Sequence, residues 1–320
     1  MELNTSTIGS FPKPKALGKA RRDYAEEEID AAALRREEEA ALRDVLALQE
    51  ALGIDLVVDG ELDRGDMTTF FAERLDGMEV SGLVRSYGNR YYRKPRIIAE
   101  VVRNAPLTVA GWKRAAALTA KPVKAILTGP YTLMDWSFDE FYPSREACCL
   151  ALAEVVRQEV EDLAAAGAMD IQIDEPAVSA RPGELPLAAR ALAIVTKAIR
   201  GKVRTWTHIC YGEFAPVLDQ IFALPVDGLL LELSNSEFDL LDAFGRLPSD
   251  KLLGAGVVDV HTHRIESAAQ VRERIERVLR VVPAERVWIN PDCGLKTRTL
   301  DEARGKLEAM MEAVRAVRGV

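Results

Sequence analysis

Three histidines and four cysteines are spread over 320 residues, yet one of each sits in the stretch THICYGEF, at His208 and Cys210. An imidazole and a thiol two positions apart can hold a borderline-soft metal such as zinc. Alone, H-x-C is better read as a buried cysteine packing as a small hydrophobe beside a hydrogen-bonded histidine. Two further residues change the balance. Glu232 closes the run DGLLLEL, and Cys293 follows RVWIN in the stretch NPDCGLKTR. Together, His208, Cys210, Glu232 and Cys293 offer one imidazole, two thiolates and one carboxylate, a donor set suited to one Zn2+. They are not paired as C-x2-C in loops, the usual pattern of a structural zinc site. Their spread along the chain calls for a scaffold that gathers them.

That scaffold is legible as alternating short apolar runs and helical patterns. Strands are expected at 5–9, 55–60, 122–129, 170–174, 203–208, 227–233, 252–258 and 286–290. Most of these runs are continuously apolar, as in strands buried on both faces of a parallel sheet. Helices are expected over about 26–52, 144–167, 186–200, 213–224, 236–246, 266–281 and 299–318, with Ser144 as an N-cap and Gly167 as a stop. The fold class is therefore α/β, and the order points to a (β/α)8 TIM barrel, with a doubly wound open sheet as the rival. Residues of about 76–112 break the rhythm. They read as strands and turns, with SYGN as a turn, and form a β-hairpin insertion after the second strand. No Ser/Gly-rich linker divides the chain, so residues 1–320 are expected to form a single barrel domain.

Catalytic groups of such barrels lie where strands end. The expected strand ends carry Ser10; Glu61, Asp63 and Asp66; Asp174 and Glu175; His208 and Cys210; Glu232; Asp259, His261 and His263; and Asp292 and Cys293. Chemically able groups thus gather at one end of nearly every strand. Cys148 and Cys149, within a helical pattern, read as packing residues.

Bulk properties narrow the class. The chain is 48% hydrophobic and 29% charged with a net charge of −8, which gives no basic footprint for nucleic acid. No apolar run is long enough for a membrane span, and MELNTSTIGSF lacks the layout of an export signal. Four cysteines make no disulfide framework. The expectation is a cytoplasmic enzyme.

At this point a likeness emerges. TIGSFP, RSYGNRY, LTGPYTLMDWSF, IQIDEPA, THICYGEF and NPDCGLKTR resemble, in kind and order, the C-terminal catalytic barrel of cobalamin-independent methionine synthase. The likeness runs from Ser6 to about Arg315. It implies a zinc-bearing (β/α)8 barrel that methylates L-homocysteine to L-methionine, with His208, Cys210, Glu232 and Cys293 as zinc ligands. Homocysteine would be bound by Ile8, Gly9 and Ser10 of the IGS motif, by Glu61 and by Asp174. The proton-donor histidine would be His261 of VVDVH, and Trp136 of WSF would lie near the methyl donor. His263 has no counterpart and reads as a surface or supporting residue.

The chain also departs from the long folate-using enzymes. They carry an additional N-terminal barrel, for which these residues leave no room. They place a pterin-contacting glutamate six positions after the IDEPA aspartate, where this sequence has Ala180. Arg90 of GNRY is kept, but Tyr91 follows where the long enzymes generally have cysteine. The pattern resembles short single-barrel "core" methionine synthases, which implies methylcobalamin, carried on a corrinoid protein, as the donor. 5-Methyltetrahydrofolate is the alternative. A uroporphyrinogen-decarboxylase-like barrel, a zinc-stabilised binding module and a methyltransferase acting on another thiol are the competing readings.

Overall fold

The structure is a computed structural model that describes residues 3–85, 91–210, 217–236, 238–246 and 250–319. Its first half holds β1 (Asn4–Thr5), α1 (Lys15–Ala25), α2 (Ala31–Leu52), α3 (Thr69–Ala72), β2 (Asp76–Arg85), β3 (Tyr91–Val102), α4 (Val109–Ala117), β4 (Ala125–Thr128), α5 (Pro130–Asp135), β5 (Phe138–Asp139) and α6 (Arg145–Ala166). Then follow β6 (Asp170–Asp174), α7 (Leu185–Thr196), β7 (Arg204–Ile209), α8 (Leu218–Phe222), β8 (Gly228–Leu231), α9 (Asp239–Arg246), β9 (Leu252–Val258), α10 (Ala268–Leu279), β10 (Val287–Pro291) and α11 (Leu300–Arg318). No helix among the described residues is long and apolar enough to cross a membrane.

The chain divides into two compact units. One comprises Met1–Asp63, Gly111–Lys124 and Leu230–Val320, the other Arg64–Ala110 and Ala125–Leu229. In the first unit the strand order is β8-β9-β10-β1, with β9, β10 and β1 parallel. Parallel bridges Ser6↔Leu56 and Val57↔Val123 bring the expected strand at 55–60 into the same pairing. In the second unit the order is β4-β6-β7-β8, and β4, β6 and β7 run parallel, with Asp174 opposite His208. Strands β4, β6, β8 and β10 are buried at every position. Their unbroken apolar character therefore reflects two covered faces.

Helix boundaries follow local chemistry. Asp30 Oδ1 accepts from Ala33 N at 2.7 Å to start α2, and Gly53, at φ 82°, ends it. Ser144 caps α6 by accepting from Ala147 N at 3.1 Å. Capping boxes open α10 at Ser267/Gln270 and α11 at Thr299/Glu302.

The helix expected over 26–52 starts only at Ala31: Glu27 takes φ 60° and the cap falls at Asp30, while residues 15–25 form α1, which the periodicity did not reveal. The insertion is an antiparallel pair, β2 and β3, but it ends at Val102; from Val109 the chain is helical, so 109–112 belong to α4. A third strand, β5, joins that sheet parallel to β3, with Phe138 opposite Arg96. The SYGN turn and residues 213–216 lie outside the described residues.

One close approach in the second unit supplies a stability test. Trp206 is 1% exposed, and its Nε1 donates to Asp170 Oδ1 at 2.9 Å. A Cβ on Gly228 of neighbouring β8 would collide with this ring. Gly228→Ala is therefore expected to lower stability by about 1–3 kcal/mol through overpacking, seen as a lower urea midpoint.

Candidate metal centre and substrate site

Strand β7 carries His208 near its end, with Cys210 just beyond it. Thr207 Oγ1 donates to Ile173 O at 2.7 Å, and Glu175 N donates to His208 O at 3.0 Å, which fixes the strand end. Glu232 follows β8 directly, and Cys293 follows β10 after Asp292. One ligand atom from each of His208, Cys210, Glu232 and Cys293 lies within 4.8 Å of all the others. Donors at zinc bond lengths in a tetrahedron stand roughly 3.3–3.8 Å apart, so a set gathered within 4.8 Å is on the scale of a single ion. His208, Cys210 and Glu232 are buried and Cys293 is half-buried. A set of two thiols, an imidazole and a carboxylate fits zinc in both number and softness.

The loop after β9 brings His261 to this centre. His261 Nε2 stands 3.0 Å from Glu232 Oε1, and its backbone N donates to Asp259 Oδ1 at 2.7 Å. Burial favours the neutral ring, but the hydrogen bond and charge of Glu232 outweigh it and raise the His261 pKa. His263 points elsewhere. It is exposed and pairs with Glu302 Oε1 at 2.8 Å, a surface role.

The residues expected to bind substrate fall around the ligand-bearing segments. Ser10 packs against Gly294, next to Cys293: a Cβ on Gly294 would collide with Ser10 Oγ, and Leu295 N donates to Ser10 O at 2.6 Å. Phe11 N donates to Gly60 O at 2.9 Å, which draws the Ile8-Gly9-Ser10 segment to Glu61. Glu61 adopts φ 53°, an unusual conformation for a side-chain-bearing residue, and its N–H is held by Asp59 Oδ1 at 2.9 Å. Asp174 is buried beside His208 in the ladder and accepts from Gln172 Nε2 at 2.7 Å.

On the expected donor side, Trp136 is half-buried and ends α5 through its N–H to Thr132 O at 3.0 Å. Arg90 and the side chain of Tyr91 lie outside the described residues. Ala180 is exposed at the end of a short 3-10 turn and offers no polar group. Cys148 and Cys149 are fully buried in α6, where burial pushes both thiols up, in keeping with a packing role.

Three other residues have supporting roles that the sequence does not assign: Glu175 and Asp292, expected only as strand-end groups, and Lys306. Glu175 is 1% exposed and caps α5, accepting from Tyr131 N at 3.1 Å, Thr132 N at 2.8 Å and Thr132 Oγ1 at 2.7 Å. Burial raises its pKa to about 7 despite those bonds. Its sequence signal is its place beside Asp174 at the end of the expected strand 170–174. Asp292 and Lys306 are likewise fully buried.

The profile described as "Cobalamin-independent synthase, Catalytic domain" matches residues 3–316. The 5-methyltetrahydropteroyltriglutamate–homocysteine methyltransferase of Acidithiobacillus ferrooxidans is 42% identical over 98% of this chain and 41% of its own length. That of Mycolicibacterium paratuberculosis is 41% identical over 99% of this chain and 43% of its own. The chain thus spans about two-fifths of the length of these curated relatives. A B12-independent methionine synthase from Shewanella sp. W3-18-1, solved in complex with selenomethionine, superposes with a TM-score of 0.85 at 28% identity, covering 100% of this chain and 98% of that one. A Listeria monocytogenes structure, at 19% identity and a TM-score of 0.79 over 99% of both chains, shares the fold. The His/Cys/Glu/Cys cluster and a match spanning nearly every described residue place this chain in the cobalamin-independent synthase catalytic-domain family.

Proposed function

We propose that this chain is a zinc-dependent homocysteine S-methyltransferase that forms L-methionine on a single (β/α)8 barrel. The observation that carries the reading is the convergence of His208, Cys210, Glu232 and Cys293 donor atoms within 4.8 Å. The bridges made by Leu56 and Val57 support an eighth strand beside the strands of the parallel ladders.

In this reading the four residues hold one Zn2+. Bound there, zinc would acidify the acceptor thiol, which otherwise ionises only near pH 8.5, and present it as a thiolate. The chain's own residues do the rest. The carboxylates of Glu61 and Asp174 take the substrate's amino group, and backbone N–H groups near Ser10 take its carboxylate. Two acidic groups at this place favour an α-amino thiol over a simple coenzyme thiol. Holding the reactants in line supplies much of the rate. His261 either gives a proton to the departing donor or orients Glu232, and its 3.0 Å contact with Glu232 supports the second role.

The methyl donor in this proposal is methylcobalamin, delivered by a corrinoid protein, because Ala180 supplies no carboxylate for a pterin. A reduced cobalamin also leaves without needing a proton. 5-Methyltetrahydrofolate is the second reading, favoured by the presence of His261 as a general acid and by the substrate in the relatives' names.

Methionine formation by the zinc-loaded protein, offered methylcobalamin and mono- or triglutamyl methyltetrahydrofolate separately, decides between them. The expected result is turnover at least about tenfold faster with methylcobalamin, a barrier difference of about 1.4 kcal/mol. Faster turnover with folate would reassign the donor. No methionine with either donor, even with a corrinoid protein added, would remove homocysteine as the acceptor.

A further inference from the structure

We infer that Asp292 is a positioning residue for the metal centre, clamping the backbone that follows Glu232 and so fixing that ligand relative to Cys293. The inference rests on the zinc-dependent reading above and deepens it.

Asp292 is 0% exposed and directly precedes Cys293. Its Oδ1 accepts from Ser234 N at 3.0 Å and its Oδ2 from Asn235 N at 2.8 Å. Both donors lie within three residues of Glu232. Its own N donates to Val258 O at 2.9 Å, so the carboxylate is anchored at the β9 end as well. Ser234 N also reaches Gly256 O at 3.1 Å. A Cβ on Gly256 would collide with Asp292 Oδ1 and lie 2.8 Å from Leu231 O, so the carboxylate sits flush against the β9 backbone. Ser236 Oγ completes the turn by donating to Glu232 O at 3.0 Å.

The arrangement has a specific consequence. A carboxylate in a buried site is stabilised only by donors, and here two successive backbone N–H groups occupy both oxygens. Because the clamp lies one residue from Cys293 and two from Glu232, any displacement of the carboxylate moves two ligands together. Groups that orient metal ligands from behind typically change metal affinity when they are lost.

Asp292→Asn is nearly isosteric but keeps a single acceptor oxygen and turns an NH2 toward the second N–H. In the 320-residue chain, zinc affinity by chelator competition is expected to fall about 10–100-fold. The absorption bands of the cobalt(II)-substituted protein should shift, while the circular dichroism of the fold is kept. A zinc affinity and a cobalt spectrum within twofold of wild type would overturn the inference. Should the variant not fold, the wild-type protein gives an independent reading. Coupling is reciprocal, so zinc loading should slow amide hydrogen exchange at both Ser234 and Asn235, and unchanged exchange would equally overturn it. Neither readout involves homocysteine or a methyl donor. Zinc uptake with an indifferent Asp292→Asn sinks the clamp alone, whereas a wild-type protein that takes up no zinc sinks both readings.

Discussion

Cys293→Ser is expected to leave the purified protein with well under one equivalent of zinc and no measurable methyl transfer. Four-ligand structural zinc sites in small peptides bind with about 10–16 kcal/mol in total, and on that scale each ligand accounts for about 3 kcal/mol, or roughly 100-fold in affinity. A serine hydroxyl is a harder donor that does not ionise near neutral pH, and it replaces a thiolate that zinc favours. Cys293 is also the half-buried thiol of the centre, while Cys210 is 6% exposed. Its substitution therefore disturbs packing less than Cys210→Ser would, and metal loss can be separated from unfolding. Cys149→Ala is the matched control: that thiol is fully buried within α6 and its protonated form is favoured by burial. It should cost stability but leave one zinc per chain. Metal content by atomic emission distinguishes the two. Full zinc in Cys293→Ser, or loss of zinc in Cys149→Ala, would show that the metal is held elsewhere.

Much of the scaffold behind this centre is legible in the sequence because buried parallel strands advertise themselves. The runs DIQID and LLGAGVV occupy β6 and β9 with the expected bounds. The ligand cluster follows from the same logic, since each member was placed at a strand end by an apolar run that stops in a polar residue. Short elements left weaker traces. Helix α5 spans only Pro130–Asp135, too few residues for a period to show, although Gly129-Pro130 marks its first turn. Strand β5 has two residues and exists through its partner β3, a pairing no local pattern encodes. The run at 55–60 reads as a full strand but is recorded only by bridges at Leu56 and Val57. Charged residues show their place in the sequence but not their role. Asp292 and Glu175 look like any polar residue next to a motif, because what marks them is a set of backbone N–H groups contributed from distant segments.

Lys306 is the strongest case, and its removal is expected to destabilise the protein by about 3–5 kcal/mol, the scale for breaking one side of a buried ion pair. In α11 the buried residues Ala303, Leu307, Met310, Met311 and Val314 form a helical stripe, and Lys306 lies within it. A lysine on an apolar stripe is a signal in itself, since an ammonium there must find partners. It finds them in the loop after β9. Its Nζ donates to Asp259 O at 2.7 Å, to Arg264 O, and to Glu266 Oε2 at 3.2 Å. Glu266 in turn accepts from Asp259 N at 2.8 Å and from Arg274 Nη1 at 3.1 Å. The loop that carries His261 to Glu232 is thus wrapped around one buried cation. Lys306→Met keeps the side chain as far as its last carbon but removes the ammonium, which orphans two carbonyls and one side of Glu266. The pH dependence gives the effect a sign. Burial alone would raise the Glu266 pKa, but the Asp259 N–H and the Lys306 charge hold it below the usual carboxylate range. Its stabilising contribution is therefore complete above its unfolded pKa of about 4.3 and fades as pH falls through the lower folded value. The gap in urea-unfolding free energy between wild type and Lys306→Met should be widest near neutral pH and should close in acid. A gap under about 1 kcal/mol at pH 7, within the range of an ordinary surface substitution, would show that the loop does not depend on the buried cation. A gap unchanged down to pH 3 would show that Glu266 is not its partner.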